Sequence, residues 1–178
     1  DFSSVTANLT VKALYNEISK FTVTFISNGE TVYAHEFDKG DSTDIYANTA
    51  LDALVVPAGF RFVKWVTELD GNLPSTLPER NVTYKAKYAL ADIESVEILS
   101  DEDNYENITY APDASITYSA DLPIYDGITY SYSWYLDGEA MASKSTYTLS
   151  GLNVGTYNIK VKVTASCKDM TSVSKEAS

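Results

Sequence analysis

Gly59-Phe60-Arg61-Phe62-Val63-Lys64-Trp65 decides how this chain is read. It comes after the break at Pro57-Ala58-Gly59 and opens a strand over 60–67, apolar and aromatic after a turn residue. Upstream stands Phe21-Thr22-Val23-Thr24-Phe25-Ile26-Ser27-Asn28-Gly29-Glu30. There Phe21, Val23 and Phe25 alternate with Thr22 and Thr24, the period of a half-buried strand. Asn28-Gly29 is a hairpin signal, because both residues tolerate positive φ. A return strand over 31–37 puts Tyr33, His35 and Phe37 on one face. Lys39-Gly40-Asp41-Ser42 ends it, with Asp or Ser placed to cap the next element. Ala47, Ala50, Leu51 and Leu54 then fall at i, i+3, i+4 and i+7, which predicts a short helix within 43–54. A loop over 69–80, carrying Gly71, Pro74 and Pro78, leads to a last strand over 82–89.

The closing segment Asn81-Val82-Thr83-Tyr84-Lys85-Ala86-Lys87-Tyr88 has an echo. Asn8-Leu9-Thr10-Val11-Lys12-Ala13-Leu14-Tyr15 shares five of its eight residues, 73 positions earlier. A fixed-period echo is the mark of a tandem array. Residues 1–19 are therefore expected to be the last strand of a preceding repeat, or a linker. Ser27-Asn28-Gly29, Gly59, Phe62, Trp65, Asn81, Thr83 and Ala86 together make residues 20–90 resemble the Listeria–Bacteroides repeat, also called the internalin B-repeat. That family is a small β-grasp-like module found in tandem on bacterial surface proteins. The chain departs from its pattern at Glu30, Phe60, Lys64 and Tyr88. The resemblance implies a β-grasp-like fold and brings no catalytic residues with it.

Composition shifts after the repeat. The 178 residues carry 25 Asp and Glu against 13 Lys and Arg, a net charge of -12. Residues 1–91 hold 11 acids and 8 bases, whereas 92–178 hold 14 acids and 5 bases. This balance argues against nucleic acid and anionic membrane surfaces, both of which need a cationic face. With Cys167 alone, no internal disulfide can form. No apolar run reaches the roughly 20 residues of a membrane helix, so no membrane insertion is expected. The chain opens at Asp1 with no signal peptide and reads as a segment of a longer, exported protein.

Residues 91–178 hold strand-like pieces over 95–99, 115–119, 129–136, 145–149, 155–164 and 171–175, a spacing that suggests a sandwich. Ile128, Tyr130, Tyr132, Trp134 and Leu136 share one face, and Asp137-Gly138 closes the strand with a turn. Tyr157, Ile159, Val161 and Val163 face in, while Lys160 and Lys162 face out. The runs 132–138 and 149–157 resemble bacterial immunoglobulin-like and polycystic-kidney-disease-type domains. The resemblance makes Trp134 the core tryptophan and Tyr157 a tyrosine corner, with Ile159 and Ile116 or Tyr118 standing where an antibody domain has its disulfide.

The fold class is thus mainly β in two domains, a β-grasp-like repeat with one short helix and then an immunoglobulin-like β-sandwich. No catalytic constellation emerges. The single His35 and single Cys167 lie in different modules, and no glycine-rich phosphate loop or zinc-ligand cluster is present. The metal candidate is calcium at Asp101, Asp103 and Glu106, within an acidic run of seven carboxylates and no base from Asp92 to Glu106. An EF-hand loop is excluded, since Tyr105 and Glu106 stand where an oxygen ligand and a glycine belong. A solvated acidic linker or edge is the stronger reading of the run, and no cofactor is required. The ligand candidate is Tyr125 with Asp126, in the loop 121–127, where a ring would stack on a sugar and a carboxylate would bond its hydroxyls. The expected role is a non-catalytic spacer on a bacterial cell surface or in a secreted protein. Its expected partners are neighbouring modules, with glycan or a host surface protein as the alternative.

Overall fold

The computed structural model describes Lys12 and residues 20–101, 115–151, 153 and 155–178. The repeat echo at 8–15 and the candidates Asp103 and Glu106 lie outside these residues, Lys12 apart. The fold is mainly β, with several sheets and one short helix, and the chain divides into two compact units. One unit runs to Leu54 and takes in Trp65–Ala86; the other consists of Val55–Lys64 and Lys87–Ser178.

The first sheet has β1 (Phe21–Ser27), β2 (Glu30–Phe37), β3 (Phe60–Val66) and β4 (Val82–Leu90) in the order β2-β1-β4-β3. Asn28 at φ 51° and Gly29 at φ 87° make the hairpin between β1 and β2. β4 runs parallel to β1, pairing Val23 with Val82 and Phe25 with Tyr84. A parallel pair needs a crossover, and α1 (Thr43–Asp52) lies within it. The layout is compatible with the β-grasp-like one expected.

Apolar alternation on β1 becomes a core of Val23, Phe25, Phe37, Ala50, Trp65 and Tyr84, all buried. Each such large side chain contributes about 1.5–3 kcal/mol on burial. The rings interlock at Phe25, 4.9 Å from Trp65 and 5.4 Å from Tyr84. Trp65 donates its indole N–H to Ala47 O at 3.1 Å, joining sheet to helix.

Two details of the helix differ from the sequence reading. Its buried residues are Thr43 and Ala50, while Leu51 is exposed. Ser42 sits at the N-cap but makes no side-chain cap bond. Instead Ser75 O accepts the Thr43 N–H at 3.1 Å, and Asp41 O accepts the Leu77 N–H at 2.9 Å. The proline-bearing loop thereby satisfies the helix start that Ser42 leaves open.

The second unit has β7 (Thr129–Leu136), β8 (Glu139–Ala142), β10 (Ile159–Ser166) and β11 (Val173–Ala177) in one sheet, ordered β11-β10-β7-β8. Its other sheet is β5 (Glu97–Ser100), β6 (Ser115–Asp121) and β9 (Thr146–Ser150), ordered β5-β6-β9. Between them lies one core of Val96, Ile116, Tyr118, Trp134, Tyr147, Val161 and Val163, compatible with an immunoglobulin-like sandwich. Trp134 is wholly buried and donates its indole N–H to Lys144 O at 2.9 Å. Tyr157 donates its hydroxyl to Asn153 O at 3.0 Å, the upstream tie expected of that residue.

Candidate functional site

The loop after β6 turns through Gly127 at φ 77°, with the Ile128 N–H reaching Tyr125 O. It leaves Asp126 exposed and Tyr125 half-buried. The reason for that burial is Gly59. Its φ is 80°, and the Phe60 N–H bonds Pro57 O at 3.1 Å to make the turn. A Cβ on Gly59 would stand 2.6 Å from Tyr125 Cδ2 and 2.7 Å from Ile128 Cδ1. The Tyr125 ring therefore lies against bare backbone and is not a free platform. Beside it is a hollow of about 290 Å³, lined by Pro57, Ile93, Tyr125, Ile128 and Tyr130, with Asp92 and Glu94 among its polar residues. That volume is at the small end for ligand sites.

Asp101, the one described member of the calcium candidate, is engaged within the sheet. Its Oδ1 accepts the Thr117 N–H at 2.9 Å, and its own N–H donates to Thr117 O at 3.1 Å. Among the described residues, no group of three or more His, Cys, Asp or Glu side chains is placed to hold a metal ion. None of their helices is long and apolar enough to cross a membrane.

A second constellation was half visible in the sequence. Tyr33 and His35 share a face of β2, and α1 brings Tyr46 beside them. Ring centroids are 6.0 Å apart from Tyr33 to His35, with planes within 8°, and 5.7 Å apart from His35 to Tyr46. Tyr46 donates its hydroxyl to Asp41 Oδ2 at 2.6 Å, and that oxygen also accepts the Asp38 N–H at 3.1 Å. The first bond, then the second, holds the Asp41 carboxyl below its ordinary pKa. The bond to Asp41, with burial behind it, pushes the Tyr46 hydroxyl up to about 12. Tyr33 and His35 could be found from alternation; Tyr46 could not, because it arrives by tertiary packing of the helix.

No protein-family model, no curated protein and no solved structure matches this chain.

Proposed function

We propose that the chain is a non-catalytic segment of a bacterial cell-surface or secreted protein, a spacer that presents other domains. In this reading residues 20–90 are a Listeria–Bacteroides-like repeat and 91–178 an immunoglobulin-like module. The observation that carries it is the way the segment between β4 and β5 is fastened. The Ala91 N–H donates to Gly59 O at 3.0 Å. Glu94 O accepts from Lys175 Nζ at 2.6 Å, and Ile93 packs on the core around Trp134. These contacts all lie within the second unit and order the start of the sandwich, a structural rather than a catalytic use of the segment, which supports the reading.

Hydrogen exchange tests this. The Ala91 amide is expected to exchange as slowly as amides inside β10. Exchange at the rate of an unstructured peptide would remove the reading. The alternative, an adhesion module that takes glycan or host protein through the loop at 121–127, is favoured by the hollow beside Tyr125. It predicts saturable binding to a glycan array or to matrix proteins that Asp126→Ala abolishes. Binding untouched by that substitution counts against it. Calcium dependence of such binding would bring Asp101, Asp103 and Glu106 forward.

A further inference from the structure

We propose that the Asn28-Gly29 turn is a site of spontaneous covalent modification, at which Asn28 loses its amide nitrogen and the hairpin opens at its turn. The inference goes beyond the spacer reading and does not rest on it.

An asparagine side chain can be attacked by the backbone nitrogen of the next residue. The new bond joins Gly29 N to Asn28 Cγ. The bond from Cγ to Nδ2 breaks, and the Gly29 proton leaves with Nδ2 as ammonia. The five-membered succinimide that remains takes up water across one of its two C–N bonds. Opening at Cγ restores the main chain and leaves an aspartate. Opening at the main-chain carbonyl leaves an isoaspartate, whose main chain runs through the former side chain. Water balances either route, and no oxidant or metal is needed.

Three conditions limit this reaction, and the turn meets each. The attacking nitrogen must be unhindered, and Gly29 has no side chain; no other asparagine of the chain precedes a glycine. That nitrogen must lie outside the sheet ladder. Pairing resumes at Ser27 with Glu30, and the Gly29 N–H meets no acceptor among the described residues. The side chain must be free to swing over its own main chain. Asn28 is exposed, and its carboxamide makes no hydrogen bond among the described residues. Asn81 shows the opposite case, since its Oδ1 accepts the Thr22 N–H at 2.8 Å and the β-branched Val82 follows it.

The product acts on the fold through length and charge. Isoaspartate adds one methylene to the main chain, and a two-residue turn at φ 51° and 87° has no slack for it. β2 is an outer strand paired with β1 alone, so no further strand of that sheet holds the turn end in place. Either product adds one negative charge to a chain already at -12.

The test ages the whole chain in mildly alkaline buffer and digests samples with trypsin. Cleavage after Lys20 and Lys39 releases 21–39, in which Asn28 is the sole carboxamide. Its mass is expected to rise, by exchange of NH2 for OH, ahead of 40–61 and 65–80, which hold Asn48 and Asn72. Part of the product should resist a protease that cuts before aspartate, the mark of isoaspartate at position 28. The rate should lie within about tenfold of that of the synthetic peptide 21–39, whereas one more than about a hundredfold slower is the mark of a turn that must open first. Gly29→Ala puts a methyl beside the attacking nitrogen, where no other atom lies within 4 Å, and should slow the reaction severalfold. The same substitution in the free peptide, which has no turn to strain, should slow it likewise. Hydrogen exchange in the aged chain should quicken at 30–32 and stay slow in β4. The proposal is overturned by an unchanged mass at 21–39, by the hundredfold slower rate, by product that is all aspartate, by an unchanged rate in both Gly29→Ala forms, or by unchanged exchange at the turn after conversion. None of these touches the spacer reading, whose test is exchange at Ala91.

Discussion

Gly59 and Tyr84 show how single residues set the stability of this chain. Gly59 is confined to glycine by conformation and by contact. Its φ of 80° disfavours any side chain, and the Tyr125 and Ile128 side chains occupy the place of a Cβ. Gly59→Ala is expected to destabilise the second unit by about 2–4 kcal/mol, roughly 1 from the backbone and the rest from overpacking. The midpoint of urea unfolding measures it. Adding Tyr125→Ala should recover part of the loss, a coupling that two independent sites would not show. Gly40 is the control, since at φ 85° it has open space around it, and Gly40→Ala should cost only about 1 kcal/mol. Tyr84 poses the opposite case. Its hydroxyl is buried without a hydrogen-bond partner among the described residues, and that burial raises its pKa. Tyr84→Phe keeps the ring against Phe25 and deletes the unpaired group, so it should stabilise the first unit by about 1–2 kcal/mol. A lower melting temperature in that variant would show that the hydroxyl is satisfied in solution.

Among the elements, the turn between β7 and β8 reaches beyond its own hairpin. Asp137 at φ 48° and Gly138 at φ 90° form it. Asp137 Oδ1 accepts the Asn158 N–H at 2.8 Å, and the Asp137 N–H donates to Asn158 O at 2.9 Å. The turn thus fixes where β10 begins. Asp137→Ala should cost about 0.5–1.5 kcal/mol, the net worth of the bond to the exposed Asn158 N–H, and Asp137→Asn, which keeps an acceptor and tolerates the turn, should cost less. Thermal unfolding of the two variants checks the order. The same contacts explain what alternation could reveal. β7 was legible end to end because its pattern runs unbroken from Thr129 to Leu136. A strand read from 155 begins instead at Ile159, since the Tyr157 tie and the Asp137 bonds hold 155–158 as a corner. β8 gave no signal, being four residues without a β-branched side chain. The Tyr33–His35 face could be read, but neither its partner Tyr46 nor the packing of Tyr125 on Gly59 leaves a periodic trace. Contacts between distant segments are invisible to a window that slides along the chain.

On the scale of the whole molecule, tyrosine sets the alkaline limit. The chain has 14 tyrosines and a net charge of -12. Among the described residues, four tyrosine hydroxyls are displaced upward in the folded state. Tyr46 rises to about 12, chiefly through Asp41. Tyr84, Tyr132 and Tyr147 rise through burial. A raised folded pKa favours the neutral phenol in the native state. Its contribution is therefore complete below the unfolded value near 10 and is lost as pH climbs through the folded value. Tyr46 and Tyr84 belong to the first unit, and Tyr132 and Tyr147 to the second, so both units carry the same liability. Loss of lysine charge over that range makes the net charge more negative still and adds repulsion to both. Circular dichroism recorded from about pH 8 to about pH 12 should show both units losing structure above about pH 10, with delayed phenolate absorbance appearing in step. Tyr46→Phe should lower stability below about pH 10, make its fall at higher pH shallower and raise the Asp41 pKa, because one bond supports both shifts. Phenolate absorbance that rises smoothly while the fold persists would place all four hydroxyls in solvent and remove the argument.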